Sequence, residues 1–165
     1  MRILVACLIT AAVSTAVLHA QQTDGFVDPP PGAHSVLEAK GVGFQVYACT
    51  DTPTGPKWVL TAPDAKLLDA SGKTIGSHFA GPTWKLEDGS QVQGERIGSK
   101  PAPEPGSVPW LLLRAKAGTA TGKFADIAFI QRTDTHGGAA VESTCTTGDT
   151  SRVPYTATYT FYAAK

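Results

Sequence analysis

The sequence lacks an excess of charge of either sign, and it lacks the short motifs of several enzyme and metal-binding classes. Fourteen Lys and Arg side chains face fourteen Asp and Glu, and no basic cluster occurs, which argues against nucleic-acid binding and attraction to anionic membranes. There is no Gly-x-Ser-x-Gly nucleophile turn and no Gly-x-Gly-x-x-Gly dinucleotide turn. No two histidines have the short spacing of zinc or copper ligands. We therefore expect no cofactor and no metal.

The longest apolar run lies at the start of the chain. Met1-Arg2 precedes an apolar stretch, Ile3–Leu18, and small residues end at Ala20. A positive start, a short apolar core and a small-residue exit predict a secretory signal peptide over residues 1–20, and hence a secreted or periplasmic protein. Cleavage after Ala16 and retention as an uncleaved anchor are the alternatives. The run is short for a membrane span, so we expect no transmembrane segment in the mature chain.

Cysteine is scarce, and removal of the signal peptide makes it scarcer. Cys7 leaves with that segment, so Cys49 and Cys145 remain. An exported compartment is oxidising, and two cysteines allow one intramolecular pairing. We expect a disulfide between them that closes a loop of about a hundred residues and contributes about 4 to 5 kcal/mol on the chain-entropy model. Two free or intermolecular thiols are the alternative.

Helical periodicity is absent from residues 21–165, whereas strand-like runs are frequent. Seventeen glycines and twelve prolines punctuate them, and Asp88-Gly89 is a strong hairpin signal. The pattern predicts an all-β fold, a single antiparallel β-sandwich or barrel-like domain with one disulfide. The runs that predict strands are 42–49, 58–60, 66–68, 73–75, 83–86, 91–93, 109–114, 124–132 and 155–162.

Proline distribution divides the mature chain into two parts. Residues 21–40 contain three consecutive prolines, Pro29–Pro31, which favour an extended segment rather than a helix or a central strand. We expect a proline-rich N-terminal arm at 21–40, with a flexible linker as the alternative. The β-rich domain then occupies 41–165.

An ordered set of motifs covers residues 41–162 and resembles the secreted bacterial and fungal family of uncharacterised proteins known as domain of unknown function 3455. After Gly137-Gly138 the family tends to have Ala-Pro, where this chain has Ala139-Ala140. The resemblance implies no particular activity. The motifs are Gly41-x-Gly-x-Gln45-x-Tyr47-x-Cys49, Ala62-Pro63-x-Ala65-x-Leu67, Gly76-x-His78-x-x-Gly81-Pro82-x-Trp84, Asp88-Gly89-Ser90, Pro109-Trp110-Leu-Leu-Leu113, Ile130-Gln131-Arg132-x-x-Thr135-x-Gly137-Gly138 and Val153-Pro154-Tyr155-x-Ala157-x-Tyr159-x-Phe161-Tyr162.

Two glycine-rich segments carry the candidate functional residues. The first holds His78 and Trp84, followed by Asp88, and a histidine beside an acidic partner can act as a base or a ligand. The second holds Arg132 and His136 before two glycines, where the arginine can pair bidentately with a carboxylate. Packing of His78 and Trp84, and an internal Arg132–Asp pair, are the alternatives.

These segments favour a non-catalytic extracytoplasmic binding or surface-interaction module. Its partner would be a small molecule, a polysaccharide or a surface protein. In this hypothesis His78 and His136 form hydrogen bonds, Arg132 holds an anionic or carboxylate group, and Trp84 stacks on the ligand, since Trp84 and Tyr162 are the best candidates for exposed aromatics. The alternative is a secreted hydrolase or other enzyme that uses His78 with Asp88 or Glu87.

Overall fold

The computed structural model describes residues 23–24, 26–141 and 143–165, and the expected signal peptide lies outside these ranges. Nearly all of the regular structure in the described residues is β-strand, and a single 3-10 turn, Gly122–Phe124, is the exception. The strands are β1 (Thr23–Asp24), β2 (His34–Thr50), β3 (Lys57–Leu68), β4 (Thr74–Phe79), β5 (Thr83–Leu86), β6 (Gln91–Lys100), β7 (Trp110–Ala115), β8 (Ile127–Gly137) and β9 (Thr150–Ala163).

Strands β2 to β9 form a closed antiparallel barrel of eight strands. The order around the barrel is β6-β5-β4-β3-β2-β9-β8-β7, and pairing of β6 with β7 closes it. The prediction of an all-β antiparallel domain is confirmed, in its barrel form. No helix in the described part of the chain is long and apolar enough to cross a membrane.

Several element boundaries differ from the sequence prediction, including the end of β6, which extends to Lys100 rather than residue 93. The runs 58–60 and 66–68 belong to one strand, β3, that continues through Pro63. Phe124 lies in the 3-10 turn, so the strand predicted over 124–132 begins at Ile127. Strand β2 begins at His34, and residues 34–40 of the expected arm are therefore part of the barrel.

The remainder of the arm packs on the outside of the barrel. Strand β1 pairs in parallel with β6 near Gly98, where a Cβ would collide with the backbone oxygen of Phe26. Farther along, Gln131 Nε2 donates a hydrogen bond to the Val27 carbonyl at 2.9 Å. Beside this crossing the outward side chain of Leu112 is fully buried. The arm thus covers an apolar part of the outer surface that the barrel alone would expose.

The barrel interior changes from apolar at one end to polar at the other. At the apolar end Phe124 stacks on Phe161, with ring centroids 4.6 Å apart, and closes the barrel. A middle layer of Trp84, His78 and Tyr159 follows. Toward the other end the buried inward side chains are mostly polar. They are Gln45, Tyr47, Arg132 and Tyr155.

The inner face of strand β2 carries glycines and polar residues, and several of its apolar side chains face outward. Every second residue from Ala39 to Cys49 faces inward, and all of these are buried except the half-buried Gly43, whereas Val42, Phe44, Val46 and Ala48 face outward. The glycines on the inner face make room for large neighbours, since a Cβ at Gly41 would lie 2.5 Å from the Tyr159 ring. The bulky side chains of the interior therefore come from the facing strands.

The predicted disulfide is confirmed. Cys49, at the end of β2, is bonded to Cys145 in the loop before β9, with Cα atoms 6.0 Å apart. Backbone hydrogen bonds from Cys49 N to Asp149 O (2.8 Å) and from Gly148 N to Cys49 O (3.0 Å) flank it. The bridge holds this loop against the polar end of the barrel.

Candidate functional site

The polar end of the barrel opens into a cavity of about 400 Å³, here called the mouth cavity. Strands β2, β3, β4, β6, β7 and β8 and the segments before β5 and β7 supply its walls. Small ligands commonly bind in the mouths of β-barrels, in cavities of this size class that combine apolar walls with a few placed polar groups. The residues that line it are Gln45, Tyr47, Leu60, Thr61, Ala62, Pro63, His78, Gly81, Pro82, Arg96, Val108, Pro109, Leu111 and Arg132.

His78 lies on the inner face of β4, between the mouth cavity and the core. Its Nδ1 lies 2.9 Å from the carbonyl oxygen of Thr83, which can only accept, so Nδ1 carries the proton and Nε2 is the acceptor in the neutral ring. Burial, partly offset by that hydrogen bond, lowers the pKa of His78 to about 3. The imidazole is therefore neutral at any ordinary pH.

Arg132 lies on the inner face of β8 and is buried, with 8% of its surface exposed. Its Nε and Nη2 both donate to the Pro109 carbonyl, at 3.1 and 2.7 Å. Within the described residues no carboxylate lies within 4 Å of the guanidinium. A buried cation without an ionic partner is destabilising, and this one lines a cavity.

Gln45 and three tyrosines form the polar surroundings of Arg132, and Gln45 and Tyr47 of these also line the mouth cavity. Gln45 is almost fully buried, and its Nε2 has no hydrogen-bond partner among the described residues. Tyr47 donates to the Gly138 carbonyl at 2.6 Å, and the phenol oxygens of Tyr155 and Tyr159 lie 3.2 Å apart. Burial raises the pKa of each phenol. The tyrosines are therefore neutral, and among the described residues of this layer the guanidinium is the one buried charge.

Gly138 allows the chain to close over this layer. Its φ of +84° is in the left-handed region, and a Cβ there would lie 2.7 Å from the Tyr155 Cβ and 3.0 Å from Gln45 Cγ. The second glycine of the predicted Gly137-Gly138 segment thus has a structural role beside the site.

The structure brings together two of the five predicted site residues. His78 and Arg132 both line the mouth cavity. Trp84 lies directly behind His78, with stacked rings whose centroids are 4.3 Å apart. It is 1% exposed, so the expectation that Trp84 is exposed for ligand stacking is wrong. The rings of His78 on β4 and of Tyr159 and Phe161 on β9 pack against it.

Asp88 and His136 lie away from the mouth cavity. Asp88 is at the opposite end of the barrel, where its carboxylate forms an ion pair with Lys123 at 2.9 Å. Hydrogen bonds from Ser90, together with Lys123, lower the pKa of Asp88 to about 2. His136 is exposed on the outer surface beside Glu104, which raises its pKa. The five residues therefore do not form one site.

The opposite end has a second cavity, of about 590 Å³, with mainly apolar walls and an acidic rim. Leu37, Leu86 and Phe124 contribute apolar surface, and Glu87 and Asp88 stand at the edge. No polar side chain among its lining residues is both buried and without a partner. This cavity therefore has no counterpart of Arg132 and Gln45, the buried polar groups of the mouth cavity that a ligand could pair with.

The arrangement around His78 differs from that of a catalytic base. In the described part of the chain its recorded polar contact is the Thr83 carbonyl, with no carboxylate in hydrogen-bond range. A general base works best with a pKa near the operating pH, far above the value for this ring. Among the described residues no three His, Cys, Asp or Glu side chains come together as metal ligands.

Comparison with known proteins identifies a family. A family model described as "Protein of unknown function (DUF3455)" matches residues 29–163. The chain belongs to this family. The DUF3455 match begins after β1 and spans the whole barrel from β2 to β9, including the mouth cavity. No curated protein and no solved structure matches the chain.

Gln45, Tyr47 and Arg96 are site residues that the sequence did not single out. A signal was present for Gln45, because it alternates with apolar residues on the same strand face as two glycines. Polar residues on the glycine-bearing face indicate an interior with room for a ligand rather than a solvent-facing strand. Arg96 gave no such signal, since a bulge in β6 near this residue sets its place at the rim.

Proposed function

We propose that the protein is an extracytoplasmic, non-catalytic binding module whose site is the mouth cavity, and that Arg132 anchors an anionic group of a small ligand there. The observation that carries this proposal is the buried Arg132 guanidinium without a carboxylate partner in the described chain. A ligand anion would supply the missing charge and would gain strength from the low local dielectric.

The surroundings of Arg132 support binding rather than catalysis. The neutral His78 ring and the unpaired Gln45 amide can orient a ligand, but neither has the partner that a proton-transfer or nucleophilic mechanism requires. The Cys49–Cys145 disulfide agrees with an oxidising compartment outside the cytoplasm.

The first test is thermal unfolding in the presence of acetate, benzoate, phosphate and glucose. At concentrations far above its Kd, a bound anion should raise Tm by several degrees, whereas glucose should not. Arg132→Met should abolish the rise. Arg114→Met, the same change at an exposed residue of β7, should preserve it.

A second pair of variants guards against loss of folding in Arg132→Met. Leu60 lines the mouth cavity and is 49% exposed, whereas its neighbour Val59 is 43% exposed and does not line it. Leu60→Asp should weaken anion binding by repulsion, and Val59→Asp should leave it nearly unchanged. If no anion raises Tm, or if Leu60→Asp and Val59→Asp behave alike, the mouth cavity is not the anion site.

A further inference from the structure

The charges and the wall residues of the mouth cavity indicate which kind of anionic small molecule it would bind. We infer, on the basis of the proposed function, that the ligand is an organic acid with one carboxylate and an apolar body. The carboxylate reaches Arg132 and Gln45 inside the barrel, and the apolar body lies against the outer walls of the cavity.

The charge balance favours a single negative charge. Arg132 is the buried cation of the cavity, His78 is neutral, and Gln45 Nε2 adds a neutral donor. The Pro109 carbonyl accepts hydrogen bonds from Nε and Nη2 of Arg132, and the guanidinium also interacts with the Tyr159 phenol, so a ligand carboxylate would accept from the Nη hydrogens that remain. The other arginine of the lining, Arg96, is exposed at the rim. A dianion in the buried layer would therefore bring a second charge that no buried cation there offsets, and burial of such a charge is unfavourable.

The position of His78 strengthens the preference for a small, singly charged head. With Nδ1 bonded to Thr83 O, the Nε2 atom presents a lone pair, which repels a further anionic oxygen and accepts a hydrogen bond from a hydroxyl. A tetrahedral phosphate with several anionic oxygens fits this surrounding less well than a planar carboxylate.

The outer part of the cavity is mostly apolar, although Thr61 and the exposed Arg96 also line it. Its walls include Leu60, Pro63, Pro82, Val108 and Leu111, and no Asp or Glu is present among the described lining residues. About half of the Leu60 surface is exposed at the edge. A ligand body that covers these side chains would remove apolar surface from water on both partners. Inorganic anions and small hydrophilic acids would leave it exposed.

Isothermal titration with a matched series of probes tests this inference. The series is octanoate, octanamide, acetate and octyl phosphate, measured at pH 8, where the phosphate is close to doubly charged. Octanoate should bind about a hundredfold more tightly than acetate, since each methylene that is fully buried adds up to about fourfold. Octanamide and octyl phosphate should each bind at least about tenfold more weakly than octanoate. Arg132→Met should reduce the affinity for octanoate to that for octanamide.

The outcomes separate failure of this inference from failure of the proposed function. If acetate or octyl phosphate binds at least as tightly as octanoate, and Arg132→Met or Leu60→Asp still weakens that binding, the anion site stands and the ligand class is wrong. Equal binding of octanoate and octanamide contradicts both proposals, because the anionic charge then contributes nothing to binding. If none of the four probes binds, or if neither variant changes their affinity while Val59→Asp behaves like the wild type, both proposals fail.

Discussion

At the scale of single residues, His78 connects the stability of the core with the chemistry of the mouth cavity. It is buried between Trp84 and the cavity, and its pKa of about 3 is far below the usual value of 6.5 because the charged form would be desolvated. Between pH 6.5 and pH 3 the His78 ring therefore binds a proton in the unfolded chain but not in the folded chain. The contribution of neutral, buried His78 to the free energy of unfolding is therefore fully present above this range and declines as the pH falls through it.

The variant His78→Gln should weaken this pH dependence. For the wild type, the His78 contribution to the free energy of unfolding should fall by about 2 kcal/mol between pH 7 and pH 5. Urea unfolding at pH 7, 6 and 5 measures it, and the variant should lack that decline. His34→Gln, at an exposed histidine at the start of β2, is the control and should behave like the wild type. Equal declines in the wild type and His78→Gln would contradict the burial of a neutral imidazole.

Sequence reasoning at this scale found His78 and Arg132 but grouped them with residues from other parts of the barrel. Glycine-rich turns identified both segments, because close backbone approaches require glycine there. Asp88 follows Trp84 closely in sequence, yet Trp84 lies within β5 and the chain continues from there to the opposite end of the barrel, where Asp88 lies. Proximity along a strand does not give proximity in space, because each strand residue advances the chain by about 3.3 Å.

At the scale of elements, the 3-10 turn Gly122–Phe124 acts as a plug for the apolar end. Phe124 is fully buried against Phe161, and the Lys123 amide donates to Ser90 Oγ at 2.9 Å. The ion pair between Lys123 and Asp88 fixes the turn on the hairpin between β5 and β6. This turn therefore determines which end of the barrel is closed.

Phe124→Ala should destabilise the protein by about 3 to 5 kcal/mol, because it removes a large buried ring and leaves a cavity. Phe79→Ala is the matched control, since Phe79 is 39% exposed on the outside of β4, and its loss should lower the free energy of unfolding by less than about 1 kcal/mol. Denaturant unfolding at pH 7 compares the two. Similar losses for both variants would show that Phe124 does not close the barrel.

The strands were largely predictable, whereas the way in which they close was not. Alternation over residues 155–162 and the Asp88-Gly89 turn are local signals, and both are confirmed. Closure depends on the pairing of β6 with β7 around a bulge between Arg96 and Gly98, which no local pattern distinguishes from a sandwich edge. Phe124 is apolar and precedes a strand, so its local pattern does not distinguish a strand residue from a residue of the turn that closes the barrel.

At the scale of the whole molecule, the two ends of the barrel have different chemistry. The plugged end has an acidic rim with Glu87 and Asp88, and the open end has arginines and no carboxylate in the described lining. The disulfide joins the end of β2 near the open end to the loop before β9, and the entropy model assigns such a crosslink about 4 to 5 kcal/mol. Its partners followed from the sequence, but its place beside the mouth cavity follows only from the fold.

The most direct measurement is an NMR titration of the isotope-labelled protein with benzoate, observing side-chain N–H signals. The Arg132 Nε–H and the Gln45 side-chain amide should shift together and saturate with one Kd. Backbone amides of Lys123 and Phe124, at the plugged end, should remain unchanged. Shifts confined to the plugged end, or no shift at Arg132 and Gln45, would contradict the assignment of the mouth cavity as the binding site.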